Sequence, residues 1–254
     1  MSVISVISMK GGVGKTSITA NLASAISQRP NAPTVAVIDL DPQNALQWHF
    51  GFMEQQSAGI CQLSVKVGAL NEAHLKTDKN ILCYPYGFAD EPTRKDFESL
   101  LKENPEWLKQ QIQSLDLPSE SIILIDTPPG QSPYMAQAMS AANLALVVLL
   151  ADGASYATAP MMETVFEEMI PLNPYLRSAY LINQVDPTNA LSTDIQVMLT
   201  QRLGNRLVPV QISEDEAVRE ALAFQQSVLI YDENGLASHD FARLAEWTMG
   251  LDLS

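Results

Sequence analysis

Cysteine is nearly absent: Cys61 and Cys83 are the only two in 254 residues, and they form no C-x-x-C pair. That leaves no metal framework and no disulfide scaffold, and it suits a reducing cytosol. Long apolar runs are missing as well. The longest purely apolar stretch, residues 144–151, falls far short of the roughly 20 residues that a membrane-spanning helix needs. The chain opens directly on a strand-like segment, with no basic n-region or cleavage site, so no export signal is expected. Positive charge is also scarce, since 15 Lys and Arg against 29 Asp and Glu give a net charge of −14. Apart from Arg94-Lys95 and the lysines of one glycine-rich loop, the basic residues are scattered. Non-specific DNA binding draws on clustered Lys and Arg that displace counterions, so this distribution argues against DNA as a partner. A basic patch assembled in three dimensions, around Arg202 and Arg206, is the arrangement that would reverse that expectation.

What is present is a globular composition, 46% hydrophobic and 17% charged, arranged as alternating strand and helix signals. Apolar segments at 3–8, 34–39, 81–84, 121–126, 144–150, 179–183 and 206–210 read as strands. Those at 121–126 and 144–150 are continuous apolar runs, as in central parallel strands covered on both faces. Helical periodicity covers 17–26 and 94–115, the latter divided at Pro105, and then 135–142, 155–170, 191–202, 214–223 and 236–249. Repeated βαβ units predict an α/β fold with a doubly wound, mainly parallel sheet and helices on both faces. With no linker, repeat or low-complexity tract, residues 1–254 read as a single domain. Residues 51–118 say least about function. Phe50, Phe52, Tyr86 and Trp107 are expected in the core, with any exposed subset of them a candidate partner surface.

Between the first strand and the first helix lies Lys10-Gly11-Gly12-Val13-Gly14-Lys15-Thr16. Glycines let backbone N–H groups converge on an anion, and a helix N-terminus adds positive potential. A strand, such a loop and a helix together predict a phosphate cradle made by Gly11, Gly12, Val13, Gly14, Lys15, Thr16 and Ser17, with the Lys15 ammonium on the β/γ-phosphates and the Thr16 hydroxyl on Mg²⁺. The ordinary P-loop has glycine where this chain has Met9, and here a second lysine, Lys10, heads the loop. This is the deviant Walker A pattern, and the chain resembles the MinD/ParA family of P-loop ATPases. The resemblance implies ATP and Mg²⁺ as cofactors, slow ATP hydrolysis and an ATP-dependent homodimer in which Lys10 reaches the partner's phosphates.

Ligands of such sheets gather at the carboxyl ends of strands, where Asp39-Leu40-Asp41-Pro42-Gln43 and Asp126-Thr127-Pro128-Pro129-Gly130 are found. By resemblance to the family's two switch segments, Asp41 positions the attacking water, Asp39 supports the metal shell and Asp126 holds Mg²⁺ opposite Thr16. Thus Lys10, Lys15 and Asp41 are the implied catalytic set, and Thr16, Asp39 and Asp126 the implied metal set. The plainer reading of Asp39 and Asp41 is that both cap the following helix. Asn183, after a strand, and Pro209 are the implied adenine contacts.

Residues 206–223 and Gln226-Ser227-Val228 are similar to the cellulose-biosynthesis (BcsQ) branch of the family. That resemblance implies cytosolic partners in a cellulose synthase complex, with recruitment to the inner membrane or pole through those partners. The C-terminal helix carries a single arginine, so no direct membrane anchor is expected. A ParA-like partition ATPase that positions cargo on DNA is the alternative.

Overall fold

The computed structural model describes residues 1–52, 59–66, 70, 73–77 and 81–253. Alternate side chains of each central strand enter opposite layers of the core, as the period of two in a pleated strand dictates. In β1 (Ser2–Ile7), Ile4 and Val6 face one layer while Val3 and Ile7 face the other. The same alternation separates Val35 and Val37 from Ala36 and Ile38 in β2 (Val35–Asp39). Both faces are covered by helices, and this explains why the strands read as unbroken apolar runs.

After β1 come α1 (Lys15–Ser27), β2, a 3-10 turn (Leu46–Phe50), α2 (Ile60–Lys66), β3 (Leu75–Lys76) and β4 (Ile81–Tyr84). Next are α3 (Glu91–Glu103), α4 (Trp107–Gln113), β5 (Ile122–Asp126), α5 (Pro133–Ala141), β6 (Leu144–Leu150) and α6 (Gly153–Met169). The chain ends through β7 (Arg177–Asn183), α7 (Ala190–Leu203), α8 (Glu216–Ala223), the single turn α9 (Val228–Tyr231) and α10 (Leu236–Met249). The sheet runs β3-β4-β2-β5-β1-β6-β7. Its pairings are parallel except β3 against β4. The doubly wound expectation is met. β1 lies between β5 and β6, so the chain winds outward in both directions from it and opens a crevice at its carboxyl end.

Local chemistry sets the helix starts. Asp90, Ser132, Asp152, Asn189 and Asp215 each accept a backbone N–H as N-caps of α3, α5, α6, α7 and α8. Pro105 falls between α3 and α4, as expected. Tyr86 and Trp107 are buried, while Phe50 and Phe52 are half-buried against the core.

One expected strand is not formed. Residues 206–210 make only an isolated bridge, Leu207 to Tyr180, with the Val208 N–H donating to Tyr180 O at 2.9 Å. A 3-10 turn (Gly204–Arg206) takes the first residue, and Pro209 lacks the N–H that would continue the ladder. Conversely α2, α9 and the short β3 were not foreseen. Among the described residues, no helix is long and apolar enough to cross a membrane.

Candidate active site

The loop 9–14 leaves the carboxyl end of β1 and enters α1 through Gly12 and Gly14, at φ 74° and 91°. L side chains rarely adopt that region. Gly14 has a second constraint, because a Cβ there would lie 2.4 Å from Asn183 Nδ2. Gly14 caps α1 without any side-chain hydrogen bond, and no acid occupies the first turn. The first backbone N–H groups of α1 therefore face the loop with no competing anion from their own helix.

Lys15 is buried, and its Nζ donates to Ser8 Oγ at 3.0 Å. Burial lowers its pKa, opposed by the charges of Asp126 and Asp41. Thr16 Oγ1 donates to Asp126 Oδ2 at 2.6 Å, and Asp126 Oδ1 is buried with no partner among the described residues. Asp39 stands in register opposite Asp126 on the adjacent strand. Two buried carboxylates side by side resist ionisation together. Asp126 is pushed up to about 7, first by burial, and Asp39 is raised well above its ordinary value by burial and then by the charge of Asp126. Asp39 uses both oxygens on backbone, accepting from Asp41 N at 2.9 Å and Leu46 N at 3.1 Å. Asp39 is thus committed to backbone N–H groups on either side of the 41–45 turn, which leaves Asp126 as the carboxylate with a free oxygen. Asp41, half-exposed, accepts from Gln43 N at 2.9 Å.

Among the described residues, no cluster of three or more His, Cys, Asp and Glu would cage a metal. Thr16 and the unpartnered Asp126 oxygen instead offer a hard-oxygen pair. That fits a magnesium ion held mainly by water and phosphate oxygens. The glycine cradle and the Lys15 ammonium fit the phosphates themselves.

Lys10 does not point into open solvent. Its Nζ meets Asp152 Oδ2 at 2.5 Å, joining the loop to the first turn of α6. Burial pulls the Asp152 carboxyl upward, but hydrogen bonds from Lys10 and Ser155 hold it below its ordinary value. On the other side, Thr127 Oγ1 donates to Val6 O and Gly130 N to Ser8 O, so the segment after β5 rests against the loop.

A cleft of about 150 Å³ adjoins Gly14 and Ser17. Ile18, Ile212, Val218, Leu222 and Phe241 supply its apolar lining, with Gln184, Ser213, Glu214 and Arg219 around them. Asn183 borders it, but its Nδ2 is engaged, donating to Val13 O at 2.8 Å. Pro209 is exposed and is not part of the lining, and residues 212–215 take the place expected for it. Ile18, Gln184 and Phe241 were missed by sequence reading, because only the fold brings them together. A larger cavity, about 530 Å³, opens at the opposite end of β1 around Ser2, Asn31 and Thr34, away from the loop.

Arg202 and Arg206 do converge, on Glu163, at 3.9 Å and 2.9 Å. The case against DNA drawn from scattered charge is nevertheless overturned by the relatives. "Chromosome-partitioning ATPase Soj" of Thermus thermophilus is 26% identical over 252 residues, covering 97% of this chain and 94% of that protein. That is level with "Cellulose biosynthesis protein BcsQ" of Salmonella typhimurium, 27% identical over 251 residues and covering 98% and 94%. The expectation that DNA is an unlikely partner therefore does not stand. Among solved structures, the septum site-determining protein MinD of Pyrococcus horikoshii, complexed with Mg-ADP, has the same fold. It superposes at a TM-score of 0.77 with 22% identity, covering 97% of this chain and 95% of that one. Residues 1–249 match the family model described as "Cellulose biosynthesis protein BcsQ". The chain belongs to that family, within the MinD/ParA type of P-loop ATPases.

Proposed function

We propose that the protein is an ATP-driven, dimerising switch that hydrolyses ATP slowly. The observation that carries this reading is the pairing of Thr16 with Asp126, whose second oxygen is left over, beside a buried Lys15 and a glycine cradle. Backbone N–H groups of loop 11–16 and Lys15 would hold the phosphates, with Ser17 at the edge of the base cleft. Thr16 and Asp126 would hold Mg²⁺, supported by Asp39, and the bound ion supplies charge neutralisation on the phosphates. Asp41, on the half-exposed turn after β2, would orient the attacking water. Lys10 would exchange Asp152 for the phosphates of a second copy. Catalysis of this kind is positioning and charge stabilisation, without a covalent intermediate.

For the cargo, the family match supports a role in bacterial cellulose biosynthesis and secretion. A second reading, positioning of cargo on DNA, is favoured by the equally close chromosome-partitioning relative. The switch is tested by solution mass of wild type and Asp41→Ala with ATP/Mg²⁺ and with ADP. A dimer seen only with ATP, and longer-lived in Asp41→Ala, is the expected result. A mass indifferent to nucleotide removes the dimer and the role of Lys10 with it.

A further inference from the structure

The turn that carries Asp41 is tied to β2 by the Asp39 carboxylate, which accepts from Asp41 N and Leu46 N, and to a distant loop by the side chain of Asn44. Asn44 is buried and adopts φ 51°, a left-handed conformation that few residues other than glycine accept. Its N–H closes the turn on Asp41 O at 2.8 Å. Its Oδ1 accepts the Gly87 N–H at 3.1 Å, across 43 positions of sequence. Its Nδ2 is buried with no acceptor among the described residues, and the Oε1 of neighbouring Gln47 is buried with no donor among them. Leaving buried amide groups unpaired costs about 1–3 kcal/mol each. Asparagine is one of the few residues that accepts this backbone, and its Oδ1 is committed to the Gly87 amide.

Gly87 has no slack to give. A Cβ on Gly59 would sit 2.3 Å from Gly87 N, and Ile60 N and Cys61 N donate to Pro85 O and Tyr86 O at 2.9 and 3.1 Å. The preceding residue reaches the other switch segment. Tyr86 and Tyr134 hydroxyls lie 2.9 Å apart, and Tyr134 uses its own proton on Glu98 Oε1 at 3.2 Å, so Tyr86 is the donor. Tyr134 stands in the first turn of α5, directly after the segment that follows Asp126. Wiring from both strand ends thus meets at Tyr86-Gly87, next to Phe88, which is 58% exposed.

We propose that Asn44 is a positioning residue for Asp41, clamping the 41–44 turn onto Gly87 so that the water-orienting carboxylate is set only while the 85–87 loop is in place. This rests on the reading of Asp41 as the hydrolytic residue. Asn44→Gly keeps the left-handed backbone and deletes the clamp. Three quantities decide: ATP affinity, steady-state kcat and KM, and hydrogen exchange at the Gly87 amide. The expected result is ATP affinity within about twofold of wild type, kcat lower by about tenfold or more at unchanged KM, and Gly87 exchange faster by a similar factor. Wild-type kcat with wild-type protection of Gly87 overturns the proposal. If the wild-type protein itself hydrolyses no ATP, the ATPase reading fails, while Gly87 exchange still decides the clamp. Asn44→Asp retains the acceptor for Gly87 and tolerates the backbone, which guards against a glycine variant that does not fold. Retained Gly87 protection together with retained kcat supports the clamp, and retained protection with lost kcat overturns it.

Discussion

Lys10 is paired within its own chain, and the proposed dimer would offer it the phosphates of a second copy instead. In this structure it is paired with Asp152, with side chains 35% and 39% exposed. A pair that wet is worth about 0.5–1 kcal/mol, small enough for a triphosphate to displace and large enough to bias a dimerisation equilibrium. Asp152 also caps α6, accepting from Ser155 N at 2.7 Å. Asn caps as well as Asp, so Asp152→Asn removes the charge and leaves the helix start intact. The expected outcome is ATP-dependent dimerisation at about two- to fivefold lower protein concentration than wild type, read by analytical ultracentrifugation. An unchanged midpoint would mean that the pair has no hold on Lys10. This contact spans 142 residues of sequence and was invisible before folding. The loop 10–16 was legible because all its groups are consecutive.

Elements were legible in proportion to how completely they are buried. β6, apolar throughout, is formed over the expected residues 144–150, and Pro105 divides α3 from α4 where expected. The misread elements are those set by tertiary contact. Residues 206–210 have strand-like side chains, but Pro209 breaks the ladder, so they lie along β7 through one isolated bridge. For the same reason the cleft beside Gly14, assembled from α1, α8, α10 and the loops near 184 and 213, could not be read from any one segment. The Gly59–Gly87 crossing belongs at this scale too. Here the backbone just before α2 lies directly against the backbone just after β4, and Gly87 sits at φ 84°. Gly59→Ala places a methyl group against backbone that cannot rotate away, and is expected to cost about 3 kcal/mol. Urea unfolding measures this directly. A loss below about 1 kcal/mol would show that the crossing can spread.

At the scale of the whole molecule, charge decides less than it first suggests. Among the described residues, nine basic ones, including Lys10, Arg94, Arg202, Arg206 and Arg219, form ion pairs with carboxylates of this chain. Arg202 and Arg206 share Glu163 and lie over the Tyr156 and Tyr180 rings at 5.8 and 5.4 Å. Phosphates could compete with Glu163 for these two guanidinium groups without unfolding anything. Dimerisation would bring a second such cluster into the same particle, so nucleotide state and DNA affinity would be linked. If cargo is positioned on DNA, retention of duplex DNA should require ATP/Mg²⁺ and weaken with salt. Each phosphate contact contributes about −0.9 to the slope of log affinity against log salt. Arg202→Ala with Arg206→Ala should then flatten that slope by about 2 per subunit while ATP-dependent dimerisation persists. A slope unaffected by the double substitution moves any DNA contact elsewhere on the surface. Absence of retention by the ATP dimer at about 50 mM salt, where electrostatic binding is favoured, would leave the cellulose-secretion reading as the one to pursue.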